Sequence, residues 1–131
     1  MPNPFLRSHP NKQTKGQAAE QFVCQWLQAQ GVKVIAQNVH CRHGELDIVA
    51  RHEDTLVFIE VRYRQHISHG GALASITHHK QQRLIKAALY FLQSNPALAT
   101  LACRFDVIGV CQDAYGHWHG HWVKQAFDIE E

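Results

Sequence analysis

Between Lys15 and Gln30 the apolar residues Ala18, Ala19, Phe22, Val23, Trp26 and Leu27 recur three and four positions apart, which is the spacing of one face of a helix. Gly31 supplies the usual stop. Val32 to Val39 reads as a strand, followed by a polar stretch through His43-Gly44. Two further strand-like runs, Glu45 to Arg51 and Leu56 to Tyr63, are joined by His52-Glu53-Asp54-Thr55, a hairpin signal. Residues 64–75, with Gly70-Gly71, read as a loop. Ser75 or Thr77 can cap a second helix reaching to about Gln93, with Leu84, Ala87, Ala88, Phe91 and Leu92 on its apolar side; Asn95-Pro96 ends it. Cys103 to Val110 alternates as a strand, and His121 to Ala126 is a weaker candidate for a last one. The order α-β-β-β-α-β-β, free of repeats, predicts an α/β domain over 14–131, a mixed β-sheet flanked by α-helices. Residues 1–13, with three prolines and little apolar content, are expected to form a flexible basic arm.

A chain of 131 residues that is 45% hydrophobic has material for one core and is too short for two domains. It contains no run near the roughly 18 apolar residues a spanning helix needs, and its N-terminus lacks a signal-peptide pattern, so a cytoplasmic protein without membrane partners is expected. Cys24, Cys41, Cys103 and Cys111 have neither zinc-finger nor disulfide-framework spacing and are expected to be reduced. The net charge of +2 says little, but its distribution says more. Between Glu60 and Asp106 there is no carboxylate, while Arg62, Arg64, Lys80, Arg83, Lys86 and Arg104 stand there with His66, His69, His78 and His79. That polarity suits a polyanion as well as it suits an ordinary solvated helix face.

Alternation places Glu45, Asp47 and Val49 on one side of the first hairpin strand, and Phe58, Glu60 and Arg62 on one side of the second. With the turn centred between Glu53 and Asp54, Asp47 opposes Glu60 and Glu45 opposes Arg62. Two carboxylates facing each other on a sheet repel. Either a hard divalent cation bridges them, as Mg²⁺ does with oxygen ligands and retained waters, or Arg62 and a neighbouring cation neutralise them in a salt-bridged network.

Four segments then carry a family resemblance: Lys15-Gly16-Gln17-Ala18-Ala19-Glu20, Gly44-Glu45-Leu46-Asp47-Ile48-Val49-Ala50, Val57-Phe58-Ile59-Glu60-Val61-Arg62-Tyr63-Arg64 and Phe105-Asp106-Val107. In this order and spacing they resemble the YraN family of small bacterial proteins, which in turn resembles the restriction-endonuclease-like fold, archaeal Holliday-junction resolvases included. The resemblance implies a site built from an Asp on one strand and a Glu-x-Lys on the next. Here Asp47 and Glu60 would be metal ligands for Mg²⁺ or Mn²⁺, with the Val61 carbonyl a further donor and Glu20 reaching the same ion or its water. The motif lysine is replaced by Arg62, which stays protonated and can orient water or stabilise phosphate but cannot titrate. Arg64 could supplement it without restoring an amine.

Lys80 is a candidate for that amine, because it follows the stripe of Leu84, Ala87 and Phe91 at its edge; the alternative is a lysine laying its stem along the core. His79, Arg83, Lys86 and Tyr90 share the outward face, where they could follow a phosphate backbone. Residues 68–72 are a candidate flap. His117, His119 and His121 alternate with Trp118 and Trp122, a pattern open to Zn²⁺ or Ni²⁺ chelation, to base stacking, or to plain packing on a hairpin. Asp106 could brace the site's lysine or arginine, or form a structural ion pair. The reading is a nucleic-acid-binding protein of nuclease-like fold, DNA favoured over RNA, with Mg²⁺-dependent hydrolysis of phosphodiesters in structured or branched substrates and a homodimer as one form of action. A catalytically inactive nucleic-acid-binding or adaptor module is the alternative.

Overall fold

The computed structural model describes residues 13–65, 71 and 75–128. Helix α1 (Lys15–Ala29) opens at Thr14, whose hydroxyl accepts from the Gln17 N–H at 3.0 Å while the Gln17 side chain accepts from the Thr14 N–H at 2.9 Å. This reciprocal box satisfies two donors that a helix start leaves unpaired. The helix closes at Gly31, where φ is +81° and the N–H groups of Gly31 and Val32 bond the carbonyls of Gln28 and Leu27; glycine takes that left-handed conformation without strain.

Strands β1 (Lys33–Cys41), β2 (Gly44–His52) and β3 (Thr55–Tyr63) follow, then α2 (His78–Ser94), a 3₁₀ turn (Leu98–Thr100), β4 (Ala102–Gln112) and β5 (Trp118–Phe127). Thr77 is the cap of α2: its hydroxyl accepts from the Lys80 N–H. The element order is the expected one, and the last strand starts earlier than its sequence suggests, at Trp118. Residues 1–12 of the arm, His66, His69 and most of the 64–75 loop and its candidate flap lie outside the described residues.

The five strands lie in the order β1-β2-β3-β4-β5. Neighbours are antiparallel except β3 and β4, which run parallel with α2 in the crossover between them. This mixed sheet between two helices is an α/β architecture consistent with the restriction-endonuclease-like fold. On one face α1 buries Ala19, Val23 and Leu27 against Ile48, Ala50, Val57, Ile59, Ile108 and Val110. On the other, α2 buries Leu84, Ala87, Ala88 and Phe91 against Val49, Leu56, Phe58, Phe105 and Val107. Both faces of β3 are therefore covered, and its run from Leu56 to Glu60 is buried throughout. Among the described residues no helix is long and apolar enough to cross a membrane. All four cysteines are free, as expected; Cys24 and Cys111 are buried.

Asp106 is 1% exposed and does not reach the site's lysine or arginine. Its strand position pairs with Ile59, one residue off Glu60, so it projects to the α1 side of the sheet. There it accepts from Arg104 Nε, Trp122 Nε1 and the Gln125 N–H at 3.1, 2.8 and 2.9 Å. The Gln125 contact falls where β4 and β5 slip register between Phe105 and Val107. Asp106 is thus structural: it fastens the end of β5 across a bulge. Of the two roles its sequence left open, the ion pair is the one observed.

The tryptophans pack on neighbouring rings and stay half-buried. Trp118 lies 5.9 Å from the rings of both Phe22 and Tyr63, and Trp122 lies 6.1 Å from Trp26. Trp26 in turn rests on Gly120, where an added Cβ would sit 2.7 Å from its Cζ3. We expect Gly120→Ala to lower stability by about 1–3 kcal/mol, read from urea denaturation, and Trp26→Leu in the same chain to recover part of the loss.

Candidate functional site

The register between β2 and β3 is the one the hairpin predicts: His52 pairs with Thr55, Val49 with Phe58 and Ile48 with Ile59. The pairing then stops. From Glu60 onward β3 stays with β4, up to the Tyr63–Val110 pair, while the first residues of β2 stay with β1, down to the Cys41–Gly44 pair. Strands β2 and β3 therefore part, and the carboxylates expected to oppose each other stand at the start of the fork. Asp47 Oδ2 accepts from the Val61 N–H at 2.9 Å, so its side chain spans the gap where a ladder bond would have been. Leu46 and Ile48 pack into clusters on opposite faces although two residues apart, which means that β2 rolls about its axis at Asp47.

Glu60 is 5% exposed and is the focus of the site. Its Oε2 lies 3.2 Å from Lys80 Nζ and 3.3 Å from a terminal nitrogen of Arg62. The cap at Thr77 sets Lys80 in the first turn of α2, and its stem crosses the core edge to bring the ammonium inward, the first of the two sequence alternatives. Arg62 lies two residues from Glu60 on the same strand face. Its Nε is buried with no hydrogen-bond partner, an arrangement that costs about 1–3 kcal/mol where it persists.

Asp47 is hydrogen-bonded to Glu60 as well as to Val61. Burial, that hydrogen bond and the Glu60 charge push its carboxyl up to about 8, against the pull of the Val61 N–H. Both cations reach Glu60 and not Asp47.

Glu20 of α1 comes close enough for Glu45 and Glu60 to raise its pKa, although burial is the larger cause. With its amide nitrogen turned toward them, Asn38 donates to Glu20 Oε1 at 2.8 Å and to Glu45 Oε1 at 3.2 Å. Asn38 lies between the Gln37–Ile48 and Val39–Leu46 pairs, hence across from Asp47, and has a left-handed φ of +51°, a conformation asparagine tolerates better than most residues. Neither Asn38 nor Glu45 was singled out as part of the site from sequence; pairing β1 with β2 through Arg42-His43 would have pointed to Asn38. Glu45 does not face Arg62 as expected. The strands have parted by then, so Glu45 turns to Asn38 and to His40, 3.8 Å away, while Arg62 folds back on Glu60.

The fork opens on a cleft of about 190 Å³ lined by Gly44, Glu45, Asp47, Glu60, Lys80 and Arg83. Arg83 Nε donates to the His43 carbonyl at 3.2 Å. His79 and Lys86 are exposed on the same helix. Arg64 stands apart from this group and donates to the Tyr63 carbonyl. His117 and His119 converge on Asp113 in the β4–β5 turn, at 3.5 and 2.9 Å. Among the described residues no group of three or more His, Cys, Asp or Glu side chains is disposed to hold a metal ion, so what the fork offers a cation is the Asp47–Glu60 pair.

A family model described as uncharacterised protein family UPF0102 matches residues 19–110. The chain belongs to the UPF0102 family. UPF0102 proteins similar to it include one from Alcanivorax borkumensis, 45% identical over 127 residues that span 97% of this chain and 99% of the relative. One from Pseudomonas syringae pv. syringae is 46% identical over 117 residues, 89% and 95% of the two chains. One from Aeromonas hydrophila is 45% identical over 119 residues, 90% and 88%. The resemblance to the YraN family is thereby borne out. The span matched by the UPF0102 model contains Glu20, Asp47, Glu60, Arg62, Lys80 and Arg83, and stops short of β5.

The raised pKa of Asp47 gives a stability signature. In the unfolded chain its proton leaves near 3.8, whereas in the fold it is held to about 8. In chelator-treated buffer the contribution of this proton is full below the lower value and is lost as pH rises through the upper one. Asp47→Asn keeps the shape without the titration. Its melting temperature relative to wild type is expected to climb between pH 5 and pH 9, as read by circular dichroism; a constant difference would contradict the assignment.

Proposed function

We propose that this protein binds nucleic acid and hydrolyses phosphodiesters at the fork between β2 and β3. The observation that carries this reading is the Asp47–Glu60 pair, two carboxyl groups in hydrogen-bond contact beneath Lys80 and Arg62 at the floor of an open polar cleft. Two hard oxygen donors side by side fit a magnesium or manganese ion, which is bound by one or two carboxylates and completes its shell with water and phosphate oxygens. Asp47 and Glu60 would hold it, in place of the proton. When bound, such an ion neutralises phosphate charge and lowers the pKa of water.

The remaining work falls to side chains. Arg62 and Lys80 already converge on Glu60; with its charge taken up, they are free to turn to the phosphate and stabilise the charge that builds on it. Arg83, at the rim, would hold the incoming strand, with Lys86 and His79 continuing the positive face along α2. Glu20 and Glu45, fixed by Asn38, keep the far wall of the fork acidic, which supports positioning of water there. Lys80 restores the amine that the strand motif lacks.

One observation favours a second reading. Lys80 and Arg62 both close on Glu60 and Arg62 stands where the motif lysine would, which suits a module that binds nucleic acid without cutting it. Cleavage of labelled single-stranded, duplex, flap and four-way-junction DNA in Mg²⁺ or Mn²⁺ separates the two. We expect cleavage by wild type, loss of at least about 100-fold in Asp47→Ala, and retention in Arg62→Lys. Equal cleavage by wild type and Asp47→Ala would reject the enzyme. Independently of turnover, Mn²⁺ is expected to raise the melting temperature of wild type and not of Asp47→Ala.

A further inference from the structure

Helix α1 has an unusual outer face. From Gly16 to Val32 the chain carries one charged residue, Glu20, and five glutamines, whereas an exposed helix face ordinarily has about a quarter to a third of its positions charged. Gln17, Gln21, Gln25 and Gln28 recur at helical spacing, all exposed. With Gln37 and Asn38 of β1 they line a groove of about 510 Å³. Glu20 and Asn38 belong both to this groove and to the acidic wall of the fork, so the two are continuous. On the other side of the same glutamines, Gln21 and Gln25 border a second hollow of about 160 Å³ whose floor includes Phe22 and Trp118, stacked at 5.9 Å.

Resting on the nuclease-like reading above, we propose that this face of α1 is a subsite for unpaired nucleobases of a strand whose phosphates lie across the fork on α2. The groove lining has no lysine or arginine and includes Glu20, so it repels phosphate. Side-chain amides present a donor and an acceptor together, the pattern that matches base edges. The half-buried rings of Phe22 and Trp118 offer the flat apolar surface on which bases stack. Cations of α2 line the cleft, whereas the separate groove and hollow on α1, on the other face of the sheet, carry amides and aromatics, so a strand leaving the fork over α1 would be sorted into backbone and bases. A continuous duplex keeps its base edges paired and its faces stacked, so the substrate class is one with an unpaired segment next to the cut: a tail, a flap or an open junction arm.

The test is binding by fluorescence anisotropy in chelator, which removes cleavage from the readout. The probes are a blunt DNA duplex and the same duplex with a single-stranded tail of about ten nucleotides. Gln21→Ala with Gln25→Ala places the best helix former at two exposed positions and should leave the fold intact. Wild type is expected to prefer the tailed probe. The double variant should lose about tenfold on it, with blunt-duplex affinity unchanged, and with the salt dependence unchanged because no cation is removed. Arg83→Ala should weaken both probes alike and reduce the salt slope by about one. Wild-type affinity of the double variant for the tailed probe, or an equal loss on both probes, would overturn the subsite while leaving the fork reading in place. Failure of wild type to bind either probe at low salt would overturn both.

Discussion

The hydrogen bond from the Val61 N–H to Asp47 substitutes a side chain for a rung of the sheet, and the rest of the site depends on it. A β-hairpin that kept its ladder to the end would press Asp47 and Glu60 against each other as ordinary cross-strand neighbours, with no room for anything between. Here the ladder stops at Ile48 and Ile59, and one carboxylate oxygen bridges the widening gap. The backbone donor is satisfied, the strands can diverge, and the other carboxylate contacts of Asp47 face the cleft. The divergence is stable because each arm has another partner: β1 holds the start of β2, and β4 holds the end of β3 in an uninterrupted parallel register.

This geometry concentrates charge in a place where water is scarce. Glu60, almost wholly buried, is tolerable because an arginine from its own strand and a lysine from α2 meet it; a buried carboxylate without such partners would be strongly destabilising. Asp47 then answers the crowding by keeping its proton. Burial and the neighbouring Glu60 are what raise its pKa.

Much of this was legible in the chain. The two-residue turn at Glu53-Asp54 fixes the hairpin register, and alternation of apolar residues on both flanks admits no other pairing without turning the core outward; the opposition of Asp47 and Glu60 follows from those facts. Lys80 was legible as well, because helical spacing ties it to Leu84, Ala87 and Phe91. What could not be read was the parting of the strands, since it depends on which of two neighbours each half-strand prefers, a matter of tertiary packing. The misassignment of Glu45 to Arg62 follows directly from extending a ladder that ends. Asn38 escaped notice for a related reason: its left-handed backbone breaks the alternation by which strands are recognised. The motif around Asp106 was visible, but two of its three partners, Trp122 and Gln125, come from β5, whose sequence signal is weak.

The two border strands of the sheet share a property that bears on edge-to-edge pairing. β1 slips register between Val34 and Ala36 and turns left-handed at Asn38; β5 adjoins a slip of its own and turns left-handed at Gln125. A foreign strand laid along either border would find its row of amides and carbonyls interrupted, a recognised safeguard against edge-to-edge aggregation. Extension of the sheet by a second copy is therefore disfavoured at both borders.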